Sequence, residues 1–419
     1  MTEKLLQYIW QFQYFNTVEI ESVEGEPIVI LHPGSLNTNQ GPDFINAKIK
    51  VGEAIWAGHV ELHILSSDWV LHKHSLDKNY SNVVLHVIWK NDLAVILPFP
   101  ALELNDKVPK LLLKKYEELM DIARFIPCEK NIHLAPSIIW DAWKERMMIE
   151  RLQQKSALVK DYLQNNNNHW EETFWWLLAK NFGVKINSDS FEKIARSLPL
   201  TILAKHKNQV QQLEALLLGQ ALLLAGNFKD SYMVMLQKEY HFLKKKYQLL
   251  PANAPLYFLR MRPSNFPTVR LAQLAMLVHN SVHLFSVIRD TTDMQTVKNL
   301  LDVTANDYWH YHYMPDEASI FKEKRLGVQM ADNILINTVI PILFTYGLLY
   351  GDSILKDRAL QWMEQITAEK NNITNGFRAI GVTIKTAFDS QALIQLKNNY
   401  CNSKRCLECA IGNKLLRGK

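Results

Sequence analysis

The sequence predicts an α+β chain in two parts. A small mixed β-sheet with its helices occupies residues 1–105, and a large all-α helical domain follows over residues 106–419. Three observations predict it. Between residues 26 and 64 apolar and polar side chains alternate with the period of two that half-buried strands show, and a β-branched apolar run follows at residues 83–89. After Pro98-Phe99-Pro100 the apolar spacing becomes helical and stays so nearly to the end. At 419 residues, 48% hydrophobic and 21% charged, the chain has material for two cores and lacks the composition of a disordered protein.

Each element has its own warrant. In residues 3–16, Leu5, Leu6, Ile9, Trp10, Phe12 and Phe15 recur at helical spacing. Residues 26–31 read as a short strand closed by the turn residues His32-Pro33-Gly34. Residues 43–51 and 54–64 form a hairpin through Gly52-Glu53. Ser66-Ser67-Asp68 supplies N-cap chemistry for a helix over about residues 69–78. Residues 83–89, VVLHVIW, have the composition of a strand buried on both faces, and a helix crossing between two strands makes them parallel neighbours. Further helices are expected over residues 108–126, 138–163, 170–181, 208–225, 230–247, 268–286 and 324–350.

The net charge of +5 permits a nucleic-acid partner but does not make a basic arm. The N-terminus lacks the basic and apolar regions of a secretory signal, and with only four cysteines a reducing cytoplasm is expected. The longest apolar run, residues 334–350, is interrupted by Asn337, Thr338, Pro341 and Gly347. It reads as a buried helix and not as a membrane span. Oligomeric state is not legible.

Four groups of residues carry candidate chemistry. On the strand over 54–64, His59, Glu61 and His63 share one parity, and Asp43 begins the adjacent strand. Asp43 and Glu61, with His59 on the same face, are candidate ligands for Mg2+ or Mn2+, and His63 would orient or activate water. A solvated sheet face is the alternative. Glu3 is a possible extra carboxylate; Lys48 has the opposite parity from Asp43 and is set aside. His72, His74 and Asp77 read as helix-surface residues and His86 as a core histidine, with a site for Zn or Mn as the alternative. Cys401, Cys406 and Cys409 with the distant Cys128 make a four-thiolate set for zinc or an iron–sulfur cluster, against free thiols. Arg260, Arg262 and Arg270 beside Phe266 form a candidate nucleic-acid clamp, against arginines that merely cap helices.

Pro42-Asp43 followed by Glu61-Leu62-His63, within an order of helix, three strands, helix and strand over residues 3–90, resembles the PD-(D/E)xK phosphodiesterase superfamily. The resemblance implies a nuclease-like α/β core in which Asp43 and Glu61 hold a divalent cation for phosphodiester cleavage. It departs at His63, where that superfamily carries lysine. The stretches GPDF, GHVELHILSSDW with the following H-x-H, NVVLHVIW, RPSNFPTVRLAQLA and DSQALIQLKNNYCNSKRCLECAIG resemble an uncharacterised bacterial family, domain of unknown function 2851. The resulting expectation is a cytoplasmic metal-dependent nuclease. The alternative is a non-catalytic nucleic-acid-binding or scaffold protein with a degenerate nuclease-like core.

Overall fold

Helix α1 (Glu3–Gln11) forms where the amphipathic spacing places it. It buries Leu5, Leu6, Ile9 and Trp10, and Thr2 caps it by accepting from the Leu5 N–H. The structure is a computed structural model describing residues 1–37, 39–93, 97–120, 124–259, 261–281 and 283–417. After α1 come the short β1 (Ile20–Glu21), β2 (Pro27–His32), β3 (Ser35–Leu36), β4 (Phe44–Val51) and β5 (Ala54–Leu65). The four-residue α2 (Asp68–Leu71), β6 (Val83–Lys90), β7 (Ala101–Glu103) and α3 (Lys110–Met120) follow. The sheet order is β1-β2-β4-β5-β6-β7, with β3 beside β4. Strands β4 and β5 are the expected antiparallel hairpin, and β5 and β6 the expected parallel pair.

Sequence sets these contacts closely. Phe44, Ala47, Ile49 and Val51 of β4 and Val60 and Leu62 of β5 enter one apolar cluster with Leu5, Leu6, Ile9 and Trp10 of α1. Gly58 lies where β5 meets β6. A Cβ there would stand 2.4 Å from the Asn82 carbonyl oxygen and from Val84 Cγ1, so only glycine allows the two strands to close.

Two expectations change. Residues 69–78 are not one helix: α2 is followed by two 3-10 turns, His74–Leu76 and Lys78–Tyr80, with Lys73 left-handed at φ +60°. Ser67 makes no side-chain cap; the Asp68 carboxylate instead accepts from the Leu65 N–H at 3.0 Å. By compactness, the first unit is Met1–Trp143 with Leu396–Lys419, and the second is Lys144–Gln395, in place of the division at 105/106 that composition marks. The reason is packing: Leu112 and Leu119 of α3, with Cys406 and Leu416 from the end of the chain, join the apolar cluster under the sheet.

The second unit is helical. The long helices Ser137–Asn165, Trp170–Phe182 and Ser231–Tyr247 stand close to their expected bounds, while the segment expected over 268–286 is split into Pro267–Asn280 and Leu284–Asp290. Val328–Tyr350 is long and apolar enough to cross a bilayer, and 67% of its apolar window is buried against protein.

A histidine–carboxylate cluster on the sheet face

Strand β5 presents its core-facing residues to α1 and its other face to residues 66–80. Glu61 and His63 lie on that second face, with His86 opposite Glu61 on the parallel neighbour β6. His63 is 1% exposed and Glu61 6%. Asp43, just ahead of β4, joins them through the main chain. Its N–H donates to Glu61 Oε2 at 2.9 Å, and its own Oδ2 accepts from the Leu62 N–H at 3.1 Å. Gln7, on α1, donates to Asp43 Oδ1 at 2.7 Å.

The segment after β5 closes over this face. Trp69 is buried, its indole N–H donates to Ser75 Oγ at 2.9 Å, and its ring packs against His63, His74, His86 and Phe99. The left-handed Lys73 turns the chain between His72 and His74. On a continuous helix, residues two apart diverge by about 200° and could not both reach one point. Here both do. His63 Nε2 stands 3.2 Å from His72 Nδ1 and 3.3 Å from His74 Nε2. The three donor atoms all lie within 4.8 Å of one another. Glu61 Oε1 is 3.6 Å from His63 Nε2 and 3.5 Å from His74 Nε2.

Burial dominates the electrostatics. It pushes the Glu61 carboxyl up to about 8, helped by the charges of Asp43 and Glu3, and pushes Asp43 up to about 6 against the hydrogen bonds that it accepts. It pushes His63 down to about 3 and His86 down to about 4, so both rings are neutral near pH 7. His63 Nδ1 is 2.8 Å from His86 Nε2, one donating to the other, which leaves Nε2 of His63 for the cluster. A neutral imidazole is the form that ligates a metal.

The histidines read as helix-surface and core residues are therefore the heart of the site. The H-x-H spacing was the available signal, hidden by the helix expected around it. Asp43, Glu61 and His63 come together as expected. His59 does not join them: among the described residues the converging group is His63, His72 and His74, and His59 Nδ1 accepts from the Asn46 N–H at 3.4 Å. Glu3 lies near enough to raise both carboxylates. A bulge at Asn46, φ +58°, shifts the β4 register between Phe44 and Ala47. The extra residue puts Lys48 on Asp43's face of the sheet, opposite Ala57, so the parity argument against it fails.

The arginine clamp changes most. Arg270 is buried, donating to Gln273 Oε1 at 2.9 Å and Asn265 Oδ1 at 2.6 Å, and is not presented to a phosphate in solvent. Phe266 packs edge-on against Phe258. Arg262 is exposed, and Arg260 lies outside the described residues. All four cysteines are free, with Cys406 and Cys409 buried and Cys128 and Cys401 half-buried.

The sequence profile of the family described as "Protein of unknown function (DUF2851)" matches residues 3–372. The chain belongs to this family. No curated protein and no solved structure gives a match. The DUF2851 match takes in every member of the histidine–carboxylate cluster.

Proposed function

We propose that this DUF2851 protein is a metal-dependent phosphodiesterase acting on nucleic acid, with a zinc- or manganese-class cation held by Glu61, His63, His72 and His74. One observation carries the reading, the spacing of the donor atoms. Nitrogen ligands at about 2.0–2.1 Å from a tetrahedral ion stand about 3.3 Å apart. The separations here are 3.2 and 3.3 Å between nitrogens and 3.5 and 3.6 Å to the carboxylate oxygen. Imidazole donors favour zinc or manganese over magnesium, which prefers oxygen.

Such a cation would polarise a phosphoryl oxygen and lower the pKa of a bound water. Asp43, its carboxyl raised to about 6 and its oxygens held by Leu62 and Gln7, is the acid–base group beside it. His63 then serves as a ligand, with His86 fixing its ring, and not as the group that activates water. The PD-(D/E)xK resemblance supplies the reaction class; the α1, hairpin and parallel-strand order supports it.

The burial of His63 and Glu61 favours a second reading, a structural metal that fastens residues 66–80 to the sheet in a non-catalytic binding or scaffold protein. Metal analysis together with cleavage of a DNA and RNA panel separates the two. The catalytic reading expects bound metal lost in His72→Ala and His74→Ala, and cleavage lost in Asp43→Ala with metal retained. Metal bound with no cleavage of any substrate selects the structural reading. Wild-type protein that takes up no metal overturns both.

A further inference from the structure

We infer that Cys128, Cys401, Cys406 and Cys409 form one four-thiolate centre for a soft metal, zinc or an iron–sulfur cluster, which fastens the last segment of the chain to the sheet unit. Cys128 is separated from the other three by the whole second unit, yet all four belong to the first. Cys406 is part of the apolar cluster under the sheet, and Cys128 packs against that cluster. Each of Cys128 and Cys401 lies close enough to Cys406 and Cys409 to feel their charges, and Cys401 also feels Cys128.

The local backbone is arranged around the sulfurs. Cys406 and Cys409 are the ends of a turn, the Cys409 N–H donating to the Cys406 carbonyl at 3.4 Å. Cys409 immediately precedes the C-terminal helix Ala410–Arg417, and its sulfur accepts from the N–H groups of Ile411 and Gly412 and from the Trp143 indole. A Cβ on Gly412 would stand 2.4 Å from the Cys406 carbonyl oxygen, so glycine is required for this approach. Trp143 is itself placed by edge-on packing with Tyr400, next to Cys401.

A neutral buried thiol behaves as a small hydrophobe and calls for no such set of donors, whereas a thiolate does. Lys397 and Lys404 add positive charge near Cys401 and Cys406. Loading one Zn2+ onto four thiols releases four protons and leaves a centre of net charge −2, which these donors and lysines suit. An iron–sulfur cluster draws on the same four thiolates.

The test uses the full chain purified anaerobically, with zinc, iron and acid-labile sulfide measured beside the visible spectrum. The expected result is one zinc, or an iron–sulfur chromophore with iron and sulfide in equal amounts. It should be lost in Cys128→Ser and Cys406→Ser and kept in His74→Ala, which reports on the other site alone. Where a serine variant does not fold, wild-type protein is treated with chelator instead: the four thiols should become titratable, and proteolysis within residues 396–419 should accelerate about tenfold or more. Four thiols that titrate freely in native protein, before and after reconstitution with zinc or with iron and sulfide, would overturn the inference. So would a proteolysis rate that metal leaves unchanged.

Discussion

Asp43 and Glu61 grip each other through the main chain. The Asp43 N–H donates to the Glu61 carboxylate, and the N–H of Leu62, next to Glu61, donates to the Asp43 carboxylate. This reciprocal pair brings two buried acids together on adjacent ends of the hairpin, and it explains why both carboxyls are raised.

The metal-free protein should lose stability as pH rises. Glu61 is raised by folding from 4.5 to about 8, so its contribution is complete below pH 4.5 and lost as pH climbs through about 8. Glu61→Gln keeps an acceptor for the Asp43 N–H and removes the titration. Thermal unfolding across this range should show wild type falling while the variant stays nearly level, with the variant on the order of 5 °C more stable at pH 8. Parallel curves would contradict the assignment.

Metal uptake at the histidines should release protons. The cation needs Glu61 ionised, whereas the free site holds that proton up to about pH 8. Zinc affinity should therefore rise with pH up to about 8, by as much as about tenfold per unit. Calorimetric titrations in buffers of different ionisation enthalpy would count the protons. In Glu61→Gln the release should fall by about one proton per ion.

The two described arginines of the proposed clamp should behave differently. Arg270→Ala leaves Gln273 and Asn265 without their buried donor, at a cost of about 1–3 kcal/mol. Arg262→Ala, at an exposed position, should change stability by less than about 0.5 kcal/mol. Chemical denaturation of both variants checks this. Equal stabilities would remove the structural role given to Arg270.

Gly58→Ala should open the junction of β5 and β6. With backbone and side-chain atoms 2.4 Å from the new methyl, the strands must separate, costing about 2 kcal/mol or more. Hydrogen exchange should quicken first at the His59 N–H, which donates to the Asn82 carbonyl at 2.8 Å.

Much of the sheet was legible in the sequence because a strand's facing is a local property. Period two put Glu61 and His63 on one face, Gly52-Glu53 turned the hairpin, and the crossover made β6 parallel to β5. The same local reasoning failed where one residue broke the period. Asn46 adds a bulge that reverses the count to Lys48, and Lys73 turns left-handed where a helix was expected. Each of these changes follows from packing that a short window does not contain, above all the burial of Trp69 among the histidines.

By itself, then, the sequence determined the α+β class, the helical character after residue 100, the family and the carboxylate pair, since these depend on periodicity and on residues close in sequence. Only the tertiary structure decided that His72 and His74 meet His63, that Arg270 is enclosed, and that Leu396–Lys419 returns to the sheet unit alongside Cys128. Those outcomes depend on which apolar surfaces remain to be covered once the elements have formed. Residues far apart in the chain settle that together.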